Sequence, residues 1–474
     1  MVFKTKKAKE KFFWVQFLNE YLKLRVRGKV SDAKKAKILK DLNIKSPRWK
    51  WICYFLSKYI ECYFYRIECV FKDLKTIYRE RYIVAWFIVI RELLDFSFNY
   101  SLKIAKKFKL FPELNLNQLV AISSKAKNSY IKLCNETRKN EIFKIAWNYS
   151  VNPDFVKILI HLFPVTYFQY VLKLIPIDMG RYFKDFYLEY KLHSKEEKLK
   201  IFKERFQKRT FRTNLLKIEN RKKLLEKLKK YNIEVKISKF SESGLYAYGI
   251  FDLNEIKEYN EGLFEVQDEA SILAVEYIDP FPHKWLLDFC AGYGSKTLAY
   301  SACMKNKGQI VASDIYDYKL KELKKRAKKS GCSNIRTMNK KELLENEELK
   351  EKFDYVVLDV PCSGTGTIEK NQEIKEYFTR QDLFELRKKQ LSILDEAKKF
   401  VKKNGFLIYM TCSILKYENE EVVNLFLRHN PDFELTIMPG KEEKFQPFLV
   451  GDFFTTRKHL EKMEGIFVAV MRKK

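Results

Sequence analysis

The sequence predicts a multidomain chain in three parts: an all-α N-terminal domain (1–150), a small α+β subdomain reached through basic linker helices (151–262), and a C-terminal doubly wound α/β domain (263–474). Three observations carry this. The chain has 474 residues, more than one ordinary domain holds. Its apolar spacing changes character near residue 264. Positive charge is concentrated in between, where residues 191–230 carry 16 Lys/Arg against 5 Asp/Glu.

Residues 1–145 repeat apolar side chains at three- and four-residue spacing, as in Phe13, Phe17, Leu18, Tyr21 and Leu22, without strand alternation or Gly-containing hairpin turns. That predicts a helical bundle with 82–100 as its central helix, followed by two short helices in 154–176 broken near Pro164. The basic stretch 191–230 ends in an amphipathic helix from Arg221 to Lys230, and Ile233–Ile250 has strand character around the turn signal Ser243-Gly244. Beyond 264, short apolar runs alternate with amphipathic helices, the pattern of a parallel sheet covered on both faces. The expected strands are 285–290, 309–315, 334–339, 354–360, 405–411, 433–438 and 466–472, with helices at 379–402 and 417–429. Ligands of such a sheet sit beyond the carboxyl ends of its strands.

A net charge of +31 favours polyanionic partners, nucleic acid first and an anionic membrane second. The longest apolar run, Tyr82 to Ile90, is far shorter than the roughly 20 residues that cross a bilayer. The N-terminus has charge but no uninterrupted apolar core, so no secretory signal is expected. Nine cysteines without a CxxC pair argue against a zinc site and for a reducing, cytoplasmic setting in which thiols are free to react.

The first α/β strand runs into Asp288-Phe289-Cys290-Ala291-Gly292-Tyr293-Gly294-Ser295-Lys296-Thr297. Its glycines allow backbone to approach a ligand at a helix start. Asp314, ending the next strand, suits the ribose hydroxyls of an adenosine cofactor, which leaves S-adenosylmethionine and NAD both open. The fourth strand ends Asp359-Val360-Pro361-Cys362-Ser363 and the fifth Thr411-Cys412-Ser413, placing two cysteines and an acid at one sheet edge. A thiolate that adds at C6 of a pyrimidine makes C5 nucleophilic toward a sulfonium methyl, provided a carboxyl group donates a proton near N3.

With these motifs, Glu265–Lys473 resembles the Nol/Nop/Sun family of RNA cytosine-C5 methyltransferases, especially its bacterial Sun-type (RsmB-like) branch acting on 16S ribosomal RNA. The matching residues include Gln267-Asp268, Ala270-Ser271, Asp288, Cys290-Ala291, Gly294, Lys296-Thr297, Asp314, Asp359, Pro361-Cys362-Ser363, Thr411-Cys412-Ser413, Glu418-Asn419-Glu420, His459 and Gly465. The resemblance implies a Rossmann-like class I methyltransferase domain that uses S-adenosyl-L-methionine. It implies Cys412 as nucleophile, Cys362 in release, Asp359 on the cytosine and Lys296 holding the catalytic loop. Asp288, Cys290, Ala291, Gly292, Gly294, Lys296, Asp314, Asn339 and Asp359 would surround the cofactor.

Upstream, Arg212-x-Asn214 resembles the family's small RNA-binding subdomain, so Lys208, Arg209, Arg212 and Asn214 are expected to contact RNA. Residues 1–145 occupy the place of a NusB-like domain in the Sun-type enzyme. The expected partner is ribosomal RNA, with no membrane and a monomeric enzyme; the rival readings are the same reaction on transfer RNA and a non-catalytic RNA-binding or ribosome-assembly protein that kept the fold. The chain departs from the family where the cofactor loop reads Gly292-Tyr293-Gly294-Ser295 in place of Ala-Pro-Gly-Gly. Asn339 replaces an acid, and Glu369–Glu373 lacks the usual basic residues and Pro-Asp.

Overall fold

The computed structural model describes residues 13–25, 32–42, a few positions between 84 and 133, 209–231, 233–248, 251–368, 370–371, 374, 378–456 and 463–474. Most of the expected helices at 82–100 and 154–176 lie outside these residues, as do 191–208 with Lys208, positions 369, 372 and 373, and His459. The chain divides into two compact units, one of residues 1–200 with 368–379 and the other of 201–367 with 380–474. Among the described residues no helix is long and apolar enough to cross a membrane.

In the first unit, helix α1 (Phe13–Arg25) and helix α2 (Asp32–Asp41) are described. Phe17, Leu18, Tyr21 and Leu22 of α1 are buried, and the rings of Phe17 and Tyr21 stack at 5.8 Å. Three- and four-residue spacing puts all four on one face, as the sequence predicts.

The second unit contains two sheets. The smaller has four antiparallel strands in the order β2-β3-β1-β4: β1 (Arg209–Thr213), β2 (Glu234–Ile237), β3 (Gly244–Tyr248) and β4 (Phe264–Val266). Helix α3 (Arg221–Leu228) packs Leu224 and Leu228 onto it, and Asn220 caps the helix by accepting from the Lys223 amide. Strand β1 falls inside the stretch read as basic linker, because its polar residues hide the period of two.

The larger sheet is built on five parallel strands, in the order β7-β6-β5-β8-β9. These are β5 (Trp285–Asp288), β6 (Gln309–Asp314), β7 (Ile335–Asn339), β8 (Phe353–Asp359) and β9 (Val401–Thr411). Strand β13 (Ile466–Lys473) then pairs antiparallel with β9. Its other edge takes β10 (Phe433–Thr436) at one end and β12 (Phe453–Thr456) at the other, with β11 (Leu449–Val450) beyond. The seven strands expected from sequence are all present. Strands β11 and β12 are additional, since runs of two and four residues are too short to show a period.

Alternation within the strands builds a core on each face. Leu287, Val356, Leu358, Leu407, Tyr409 and Phe467 point to one side. Leu286, Tyr355, Val357, Ile408, Met410 and Val468 point to the other. Near-continuous apolar runs are what a sheet buried on both faces requires. Covering the sheet are α4 (Glu269–Ile278), α5 (Ser295–Cys303), α6 (Asp317–Ser330), α7 (Lys340–Glu345), α8 (Arg380–Ala397) and α9 (Glu420–His429). Strand order reverses between β5, β6 and β8, which opens the crevice at the carboxyl ends of β5 and β8.

Candidate active site

Asp288, Asp314, Asn339, Asp359 and Thr411 end five neighbouring parallel strands, so the residues singled out from sequence converge on one edge. Asp288 is buried and accepts a hydrogen bond from Thr297 Oγ1 at 2.7 Å. Burial pushes its carboxyl up to about 7; the Thr297 bond opposes the shift and Asp359 adds to it.

The loop after β5 holds Gly292 at φ +56° and Gly294 at φ +83°, both left-handed. Gly292 donates its amide to Asp314 Oδ2 at 3.0 Å, and the Tyr316 amide reaches Asp314 Oδ1 at the same distance. Each Asp314 oxygen thus accepts one backbone amide, and Lys319 Nζ lies 3.8 Å from Oδ1. No atom lies within 4 Å of where a Gly292 side chain would stand, so the loop forms an open cradle beside that acid. Open backbone and a ribose-type acceptor fit an adenosine cofactor. At Gly294, by contrast, a Cβ would stand 2.4 Å from Leu323 Cγ of α6.

These two glycines predict opposite outcomes. Gly294→Ala is expected to cost about 2–4 kcal/mol in urea unfolding, from left-handed strain plus overpacking. Gly292→Ala is expected to cost only about 1 kcal/mol while weakening cofactor binding, because its methyl group enters the cradle. Equal destabilisation by the two would contradict the geometry.

Cys290 was expected at the cofactor. Its side chain instead packs against the core, and burial pushes the thiol up to about 12. It behaves as a small apolar residue. Ala291 packs beside Leu298 and Leu323, and its amide donates to Ser313 O at 2.9 Å. Asn339 caps α7 through the Lys341 amide and donates Nδ2 to Asp317 Oδ1 at 2.7 Å, so its amide is engaged locally.

Lys296, in the first turn of α5, lies 2.7 Å from Asp359 Oδ2. Burial works against the ammonium, but the Asp359 charge and hydrogen bond outweigh it and raise the lysine's pKa. The Cys362 and Cys412 sulfurs are 3.3 Å apart, brought together by adjacent strands β8 and β9. The hydrogen bond to Cys412, followed by burial, holds the Cys362 thiol well above its ordinary pKa. That raised pKa favours the thiol form of Cys362, and either sulfur can be the donor in its contact with the other.

The expected RNA contacts need correction. Arg212 is 4% exposed and donates Nε to Gln267 Oε1 at 2.7 Å. Asn214 is 2% exposed and donates to Gly262 O and Ser330 O, at 2.8 and 2.7 Å. Both hold β1 against its neighbours and cannot reach a phosphate from inside the core. Arg209 remains at the surface, over the Phe251 ring at 4.9 Å. Sequence reasoning also missed what surrounds the cysteines. Ser363, Ser413 and Gln390 gather on the carboxyl group of Glu418, and the repeated Cys-Ser pair was the available signal.

Residues 275–472 match the family model for 16S rRNA methyltransferase RsmB/F. Over 271 residues the chain is 33% identical to the probable ribosomal RNA small subunit methyltransferase B of Bacillus subtilis, covering 56% of this chain and 60% of that protein. Over 280 residues it is 31% identical to the 25S rRNA (cytosine-C(5))-methyltransferase nop2 of Schizosaccharomyces pombe, covering 56% and 46%. The crystal structure of PH0851 shares the fold, with a TM-score of 0.74 and 23% identity over 97% of this chain and 98% of that one. The chain thus spans 60% or less of the length of these two curated relatives. Over residues 275–472 the chain is thus similar in sequence to 16S rRNA methyltransferases of the RsmB/F type.

Proposed function

We propose that this chain transfers a methyl group from S-adenosyl-L-methionine to C5 of a cytosine in RNA, with small-subunit ribosomal RNA as the substrate. The observation that supports this most is the pair of sulfurs 3.3 Å apart, beside the Lys296–Asp359 ion pair and beyond the strand ends. Two thiols and an acid in one crevice suit covalent activation of a pyrimidine, which a non-catalytic binding module does not need. The cofactor supplies an electrophilic methyl on a sulfonium, and Asp314 with the Gly292 cradle would hold its nucleoside end.

The protein's own residues do the rest. A cytosine must first leave its stack, as for any enzyme acting on a base. Cys412 adds to C6, while Asp359 orients the base through its polar edge and Lys296 holds that carboxylate in place. After methylation the C5 proton departs to a base, its electron pair forms the C5–C6 double bond, and the C6–S bond breaks. Cys412 then leaves as a thiolate, and the protonated Cys362 donates its S–H to it.

We assign residues 1–150 to a helical, NusB-like domain, 151–262 to linker helices and the small RNA-binding subdomain, and 263–474 to the catalytic domain. Helices α1 and α2 support the helical reading of the first part. The enzyme acts as a monomer on this reading. Arg209 and Lys208 are the expected phosphate contacts, and Arg212 and Asn214 brace them from within. The test is transfer of labelled methyl to an unmodified small-subunit ribosomal RNA transcript, with a transfer RNA pool alongside. Label on cytosine C5 of the ribosomal transcript is expected. Label confined to the transfer RNA pool changes the substrate, and no label on either RNA sinks the catalytic reading.

A further inference from the structure

We infer that Glu418 is a positioning residue that locks the two cysteine-bearing loops at their working separation; this rests on the proposed reaction. Glu418 is fully buried, the last residue of a short turn (Lys416–Glu418) after β9 and two before the start of α9. It touches neither cysteine. Its carboxyl group instead takes four hydrogen bonds from the residues that carry them. Oε1 accepts from the Ser363 amide at 2.8 Å and from Gln390 Nε2 at 3.0 Å. Oε2 accepts from the Ser363 and Ser413 hydroxyls, each at 2.5 Å.

Ser363 follows Cys362 and Ser413 follows Cys412, so one side chain grips both loops at the residue after each thiol. Gln390 extends the grip by donating also to Pro361 O, on the other side of Cys362, at 3.0 Å. Thr365 Oγ1 lies 3.1 Å from both serine hydroxyls, and the Gly366 amide reaches Cys412 O at 2.8 Å. Glu418 itself is anchored where Tyr409 donates its hydroxyl to Glu418 O at 2.6 Å, and next door Asn419 bonds Ser413 O at 2.9 Å. A buried carboxylate that accepts four bonds is costly to disturb, because each donor would be left unsatisfied. Nothing else described crosses between the two Cys-Ser steps with a charged group.

The bond pattern separates positioning from charge. On the Oε1 side both donors are N–H groups that can only donate. On the Oε2 side both partners are hydroxyls that can turn and accept. A glutamine at this position fits every partner, with its oxygen toward Ser363 N and its amide nitrogen toward the hydroxyls. Glu418→Gln therefore keeps the lock and Glu418→Ala destroys it.

The experiment compares the full-length wild type with both variants in three measurements: thermal unfolding, kcat and KM for methyl transfer, and the rate of Cys362–Cys412 disulfide formation on adding diamide. Diamide takes up the two hydrogens and two electrons released by the thiols, and the rate reports sulfur proximity without involving methyl transfer. Glu418→Ala should lower kcat about 100-fold, as for roughly 1 Å of misplacement, with KM for the cofactor little changed. Its disulfide should form about tenfold more slowly, and Glu418→Gln should stay within about tenfold of wild type in kcat. If Glu418→Ala does not fold, Ser363→Ala/Ser413→Ala takes its place. Unchanged kcat and disulfide rate in a folded Glu418→Ala or serine double variant overturn the inference, as does a Glu418→Gln as impaired as the alanine. A wild type that forms the disulfide quickly but methylates no RNA would instead count against the proposed function, and the disulfide comparison still decides the role of Glu418.

Discussion

Cys362→Ala is expected to turn the protein into a trap for RNA, whereas Cys412→Ala forms no adduct and loses methyl transfer by about 10³-fold or more. The contrast follows from the unequal surroundings of the two sulfurs. Cys362 is kept protonated by its bond to Cys412 and by burial, so it is a donor and a poor nucleophile. Cys412, 3.3 Å away, is left as the group that adds to C6. Without the Cys362 S–H, Cys412 can still attack, but its departure lacks the donor 3.3 Å away that stabilises the leaving thiolate. Denaturing gels of each variant mixed with RNA and S-adenosylmethionine would show a slow-migrating band for Cys362→Ala and none for Cys412→Ala. The same band from both variants, or from Cys412→Ala alone, would reverse the roles given to the two thiols.

What the sequence disclosed and what it hid follow one physical line. Strands β5 to β9 were legible because burial on both faces forces continuous apolar runs, and their ends were legible because Asp288, Asp314, Asp359 and Cys412 are chemically unusual there. Strand β1 was not. Its Arg-Thr-Phe-Arg-Thr run reads as a basic surface, yet four of its five residues are buried. Arg212 can be inside only because Gln267 and Glu265, from a strand paired more than 50 residues later, meet its charge. Glu418 was hidden for the same reason. It was visible as part of a motif, but its meaning lies in a four-donor site assembled from β8, α8 and β9, and spacing along one segment carries no trace of that. Local period discloses elements, and composition at strand ends discloses chemistry. Which polar groups satisfy one another is a property of the closed fold.

Asp359→Asn is expected to cost the enzyme about 10²-fold in kcat with little change in cofactor KM, the effect of losing the carboxylate that orients the base. The same change should also destabilise the fold, because it leaves Lys296, whose side chain is 15% exposed, without the carboxylate 2.7 Å away. Removing one partner of a largely buried pair normally costs about 3–5 kcal/mol. Asp359 is about a third exposed, so water screens the pair and about 1–2 kcal/mol is the better expectation. Lys296→Met removes the ammonium and should cost kcat as well, by releasing the carboxylate from its hold. The two changes together separate these effects. In stability, the double variant should lie closer to wild type than the two single losses summed, since neither charge remains unpaired. In activity it should be no better than Asp359→Asn, because the group that meets the base is gone in both. Thermal melts and single-turnover methylation of the four proteins would check both statements. An Asp359→Asn variant with full activity would remove the acid from the chemistry and leave the pair a structural strut between α5 and β8.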